Sequence, residues 1–137
     1  MMSYINCFEL TAGKPPYKLF ASVSGTFQGI NIYVGGGTDP HIGSVAISIP
    51  RASLEDPNKR SCTTSVFNCI GHKDDIVAKI FSEAVCIKYD CVVTVSAGIH
   101  IDNASSDQID EIKKISKDLL NSLLIELEKH ARKGEQK

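Results

Sequence analysis

The chain has 137 residues, 42% hydrophobic and 23% charged, and its 15 basic against 16 acidic residues leave a net charge of −1. That length suits one domain of roughly 100 to 200 residues, and a folded chain of this size hides about two-thirds of its unfolded surface, enough to need neither disulfides nor metal. The balanced charge, with no recurring basic stretch to track phosphates, excludes a nucleic-acid partner, and no apolar run approaches the ~18 residues of a membrane span.

In chain order, Tyr4 to Leu10, Tyr17 to Ser24, Ile30 to Val34, Val45 to Ile49 and Thr64 to Cys69 are short apolar or alternating runs. Most are bounded by Gly or Pro, and they predict five strands. A helix is expected from His72 to Lys88, with Ile76, Ile80, Phe81, Ala84 and Ile87 along one face. Val92 to Ala97, which opens on four β-branched residues, predicts a sixth strand covered on both faces. Ser105 and Gln108 then form a capping-box pattern that opens a second helix. It runs to about His130, about 37 Å at 1.5 Å per residue.

The apolar positions of this second helix, from Ile109 through Leu127, cover an arc of roughly 180°, where one core needs about 100°. Either a thick core lies beneath it or a second surface is buried, most simply a twofold homodimer contact, and the dimer is the favoured expectation. Gly134 to Lys137 is expected to be a polar tail of a single domain over 1–137. Five cysteines form an odd set without a Cys-x-x-Cys pair. Reduced thiols in the cytoplasm are therefore expected. Met1 to Leu10 lacks the basic-then-apolar order of a signal peptide.

Residues suited to chemistry gather in loop-like segments, where sites concentrate. Gly35-Gly36-Gly37 follows a strand but precedes Thr38-Asp39-Pro40-His41 and no helix, so it lacks the setting of a dinucleotide or phosphate loop. Gly71, His72 and Lys73 stand at a strand-to-helix junction, where backbone N–H groups and the helix dipole can hold an anion. Asp74 and Asp75 in that first turn serve the same dipole and weigh against it. His100 and Asp102 lie two apart in an extended segment and share a face, as a base with its orienter or as metal ligands. The alternative is a cap from Asp102 or Asn103 on the following helix. His41, His72 and His100 all sit at element ends, and a three-histidine metal site requires those ends to converge. Arg51 offers a guanidinium fork for phosphate or is a solvated loop arginine. Thr64 and Ser65 are either hydroxyl donors to a ligand or simple β-formers.

No nucleophile elbow, metalloprotease helix, Walker sequence or redox Cys-x-x-Cys occurs, so no signature assigns an enzyme. Five segments instead carry a likeness: Pro40-His41-Ile42-Gly43-Ser44-Val45-Ala46, Ile49-Pro50-Arg51, Thr63-Thr64-Ser65-Val66, Gly71-His72-Lys73-Asp74-Asp75 and Gly98-Ile99-His100-Ile101-Asp102-Asn103-Ala104. Together, over about His41 to Ile115, they resemble the LpdD-like prenylated-flavin chaperone family. The resemblance implies a homodimer that binds reduced prenylated FMN and loads it into UbiD-type decarboxylases. It also implies an α/β (α+β) fold similar to the proteasome assembly chaperones, with a predominantly antiparallel sheet of about six strands and two helices.

On loop placement, Arg51, Lys73 and the helix start at Gly71 are the expected phosphate contacts. His41, His72 and His100 would meet the ring edge or ribityl hydroxyls, with Asp102, Thr64 and Ser65 beside them. Two other functions stay open at this point. One is a metal-assisted hydrolase or lyase built on the histidines and Asp102; the other is a protein-assembly chaperone without a small ligand.

Overall fold

The computed structural model describes residues 4–69 and 74–135. The chain runs β1 (Tyr4–Ala12), β2 (Leu19–Thr26), β3 (Gly29–Gly37), β4 (Ser44–Ala52), β5 (Arg60–Asn68), α1 (Asp75–Tyr89), β6 (Val92–His100) and α2 (Ser106–Glu135). The six strands form one sheet in the order β1-β2-β3-β6-β4-β5. Every neighbouring pair is antiparallel except β3 and β6. This is the six-stranded, mostly antiparallel α/β arrangement that the sequence predicts.

Alternation within the strands divides the sheet into two faces. Ala21 pairs with Val34, Val34 with Ala97 and Ala97 with Ser44, so these residues share one face. On that face Leu19, Ala21, Ile32, Val34, Val93, Val95 and Ala46 are fully buried. Both helices lie there, α2 over β1 and β2, α1 over β4, β5 and β6. They meet where Tyr89 donates to the carbonyl of Leu124 (3.4 Å) and to Glu128 (3.1 Å).

The covered face explains which residues α1 buries. Ala78, Phe81, Ser82, Val85 and Cys86 are its inward residues, whereas Ile76, Ile80 and Ile87 are exposed. Of the expected face, Phe81 is buried and Ala84 half-buried, while its three isoleucines face away from the core. The inward stripe contains polar groups because the sheet supplies partners for them: Ser48 of β4 donates to Ser82 (2.9 Å) and bonds to Thr64 of β5 (2.7 Å). One turn further along α1, Cys86 faces Cys62 of β5, and burial followed by the neighbouring thiols pushes the Cys86 thiol up to about 12. All five cysteines are free thiols.

The wide arc of α2 is occupied by the chain's own sheet. Ile115, Leu119, Leu123 and Leu127 are buried, and Ile112, Leu120 and Leu124 pack against the same core. Only Ile109 and Ile125 of that helix are large apolar residues left exposed. The second apolar surface expected on α2 is thus a thick core, and the uncovered apolar area lies elsewhere. The capping box forms as predicted, with the Ser105 amide donating to Gln108 Oε1 (2.8 Å) and the Gln108 amide to Ser105 Oγ (3.2 Å). The helix continues through Glu135, so it includes the first two residues of the expected polar tail.

The far face of the sheet carries neither helix. There β4 presents Val45, Ile47 and Ile49, and β5 presents Phe67, which is 75% exposed. Val45 pairs with Phe67 and with Ser96, and Ile47 with Ser65 and Thr94, so the patch is continuous across three strands.

Leu119 is fully buried where α2 crosses the sheet. Leu119→Ala should cost about 2–5 kcal/mol through lost burial and an unfilled cavity. Urea unfolding monitored by circular dichroism measures it, with the midpoint falling and the slope unchanged.

Candidate functional site

The carboxyl ends of β3 and β6 lie side by side because these strands are parallel, with Gly37 paired to His100. Segment 38–43 leaves β3 and crosses the end of β6 to enter β4. Its backbone is tied down by Thr38 N to His100 O (2.8 Å), His41 N to Gly98 O (3.4 Å) and Gly43 N to Ala97 O (2.8 Å). A Cβ on Gly98 would collide with the His41 carbonyl oxygen, so the crossing needs glycine there. Gly37 has φ +78°, in the left-handed region. Gly36 and Gly37 are therefore the end of a strand that other backbone approaches closely, not a free hairpin connection.

This crossing places His41 against the start of α1. Its Nε2 lies 3.4 Å from Asp74 Oδ2, and its Nδ1 lies 3.0 Å from the carbonyl of Asp39. Asp74 is 8% exposed. Its other oxygen accepts the Ile99 amide at 3.0 Å. β4 pairs with β6 only as far as Ala97, so Asp74 takes the place of a missing strand partner for Ile99. The Tyr33 hydroxyl donates to the His41 carbonyl at 2.9 Å. Burial, then the charge of Asp74, holds the Tyr33 phenol above its ordinary pKa, which keeps it a donor.

His100 lies edge-on to His41, with ring centroids 6.2 Å apart. Its Nε2 is 2.7 Å from Asp102 Oδ1, both side chains being exposed. Asp102 thus orients a histidine, while the cap on α2 comes from Ser105.

Of the residues expected to bind a ligand, the structure brings together His41, His100 and Asp102. Gly71, His72 and Lys73 lie outside the described residues, and the three-histidine arrangement with them. Arg51 stands seven residues along β4 from Ser44, about 24 Å away at strand rise. There its Nε donates to Thr63 (2.8 Å) and its Nη1 to the Ala52 carbonyl (3.0 Å). Thr64 faces α1 and is bonded to Ser48, whereas Ser65, on the uncovered face, sits opposite Ile47. The expected gathering of histidines with Arg51 therefore does not form. Among the described residues no group of three or more His, Cys, Asp or Glu is placed to hold a metal ion.

Two contributors were missed in the sequence. Asp74 stands where a first-turn carboxylate ordinarily serves the helix dipole, yet its carboxylate turns to β6 and makes no cap bond. Tyr33 was read only as a strand residue. Its position two residues before Gly35 was a usable signal, since neighbouring same-face positions then hold an aromatic ring beside an empty one.

One six-stranded sheet with both helices on one face and a polar cluster at its parallel strand ends makes a small two-layer α/β domain. The family model of the prenylated flavin chaperone LpdD-like domain matches residues 13–128, and the chain belongs to that family. Membership places it among chaperones and not among enzymes. No curated protein matches the chain. Among solved structures, one described as the crystal structure of a novel chaperone complex for yeast 20S proteasome assembly is similar, with a TM-score of 0.58 and 16% identity. The likeness covers 89% of this chain and 97% of that one, and it shows a shared fold.

Asp74→Ala should destabilise the protein by about 1–3 kcal/mol, because the Ile99 amide loses its acceptor. Asp102→Ala, at a side chain 85% exposed, should change stability by no more than about 0.5 kcal/mol. Chemical denaturation of the two variants side by side checks the contrast.

Proposed function

We propose that the chain binds reduced prenylated FMN and passes it to a UbiD-type decarboxylase in the cytoplasm, acting as a homodimer. The observation that carries this reading is membership of the prenylated flavin chaperone family over residues 13–128. A carrier needs an apolar bed for a flat ring and a few polar groups, and it needs no catalytic strain. It must also lose the cofactor to its recipient, which has to bind it better by about 1.4 kcal/mol for each tenfold bias in transfer.

Anaerobic titration of the purified protein with reduced prenylated FMN should give saturable binding. The loaded protein should then restore activity to an apo-decarboxylase of the UbiD type. Absence of binding to the reduced cofactor would end this reading.

The dimer contact is the uncovered sheet face at β4 and β5. Val45, Ile47, Ile49 and Phe67 are exposed there, and the neighbouring same-face positions Thr63, Ser65, Thr94 and Ser96 are uncharged. Two copies of such a surface can meet about a twofold axis without opposing like charges. Ile47→Glu should convert the dimer to a folded monomer, read by sedimentation equilibrium; a wild-type chain that sediments as a monomer removes the dimer from the proposal.

A further inference from the structure

The uncovered face continues past β6 onto β3, β2 and β1, and there it becomes concave. A cavity of about 440 Å³ is lined by Glu9, Ser22, Ser24, Asn31 and Tyr33, with Cys7 at its edge. A second cavity of about 300 Å³ adjoins it, shares Glu9 and reaches Phe20, Lys18 and Gly36. From Ser24 to Lys18 the chain advances six residues, so the two together form a groove about 20 Å long. Their volumes fall in the range of small-ligand sites, roughly 300–1,000 Å³.

We propose that this groove on the uncovered face of β1, β2 and β3 is the flavin site, with the ring over Ser22 and Tyr33 and the phosphate at Lys18. The inference rests on the flavin-carrier reading above and moves the ligand away from the histidine cluster. That cluster has its polar groups engaged with one another: His41 with Asp74, His100 with Asp102, and Tyr33 with the His41 carbonyl.

The groove offers what a flavin ring needs. Phe20 and Tyr33 meet edge to face with centroids 5.5 Å apart, an apolar wall for a planar ring. That pair depends on Gly35, where a Cβ would stand 2.9 Å from the Phe20 ring and 2.8 Å from the Tyr33 hydroxyl. Asn31 Oδ1 accepts from Thr94 (2.7 Å), which leaves the amide NH2 of this lining residue as a donor for a ligand. Glu9, already accepting from Ser22 (3.3 Å), supplies a carboxylate acceptor in the lining of the same cavity. The imide edge of a flavin carries C=O, N–H and C=O in succession, and a lining with one amide donor and one carboxylate acceptor offers partners of both kinds. Lys18 supplies a cation toward the far end for the phosphate.

Ser22→Trp fills the groove from its floor, and Ser24→Leu does so more gently should the larger residue impair folding. With folding checked by circular dichroism, the variant should bind reduced prenylated FMN at least tenfold more weakly than the wild type, and Lys18→Ala should weaken binding of the phosphorylated cofactor more than that of its dephosphorylated form. Wild-type affinity in a folded groove-filled variant, with loss of binding in His100→Ala, would place the flavin at the strand ends and overturn the inference while leaving the carrier reading intact. A wild-type protein that binds no prenylated FMN overturns both.

Discussion

The insertion of β6 between β3 and β4 holds the two halves of the molecule together. One half is β1, β2 and β3, with α2 over β1 and β2; the other is β4 and β5 under α1. β6 is made after both sets of strands and bonds to each, parallel to β3 and antiparallel to β4. Val93, Val95 and Ala97 on its covered side have no exposed surface, as a central strand requires. The parallel pairing also forces the link from β3 to β4 to pass over the end of β6. From that crossing follow the bare Gly98, the seat of His41 and the use of a buried aspartate as a substitute strand partner.

Placing both helices on one side gives the two faces different work. The covered side holds the core and hides its few hydroxyls in the Thr64-Ser48-Ser82 chain. The uncovered side carries no ionisable group of Asp, Glu, Lys or Arg on the same-face positions from Ser22 across β3, β6 and β4 to Ile49. Charge returns at the margins, with Glu9 on β1, Lys18 just before β2 and Arg51 near the end of β4. An apolar half over β4 and β5 and a concave, aromatic half over β1 to β3 thus lie side by side on one continuous surface.

Much of this was legible in the residues. All six strands and both helices occur where period-two and period-3.6 patterns place them, and the capping box at Ser105 fixes the start of α2. The face of α1 was not legible, because Ile76, Ile80 and Ile87 make a stripe as regular as the true one. The true stripe contains Ser82 and Cys86, which can be inward only because Ser48 and Cys62 wait across a non-local contact. The same limit governed the site. His100 and Asp102 are two apart and could be paired by spacing alone, whereas the distance of Arg51 from His41 depends on the direction in which β4 runs. The groove gave no signal, since its wall forms from Phe20 and Tyr33 only after β2 and β3 take their register.

Among the described residues, the groove is floored by strands and open to solvent. In the proposed carrier role, the residence time of a molecule bound there would be set by its contacts alone, and a recipient protein could touch it before the donor lets go. Exchange through such a shared intermediate would spare the proposed cargo an interval free in water, which matters most for a compound that dioxygen attacks.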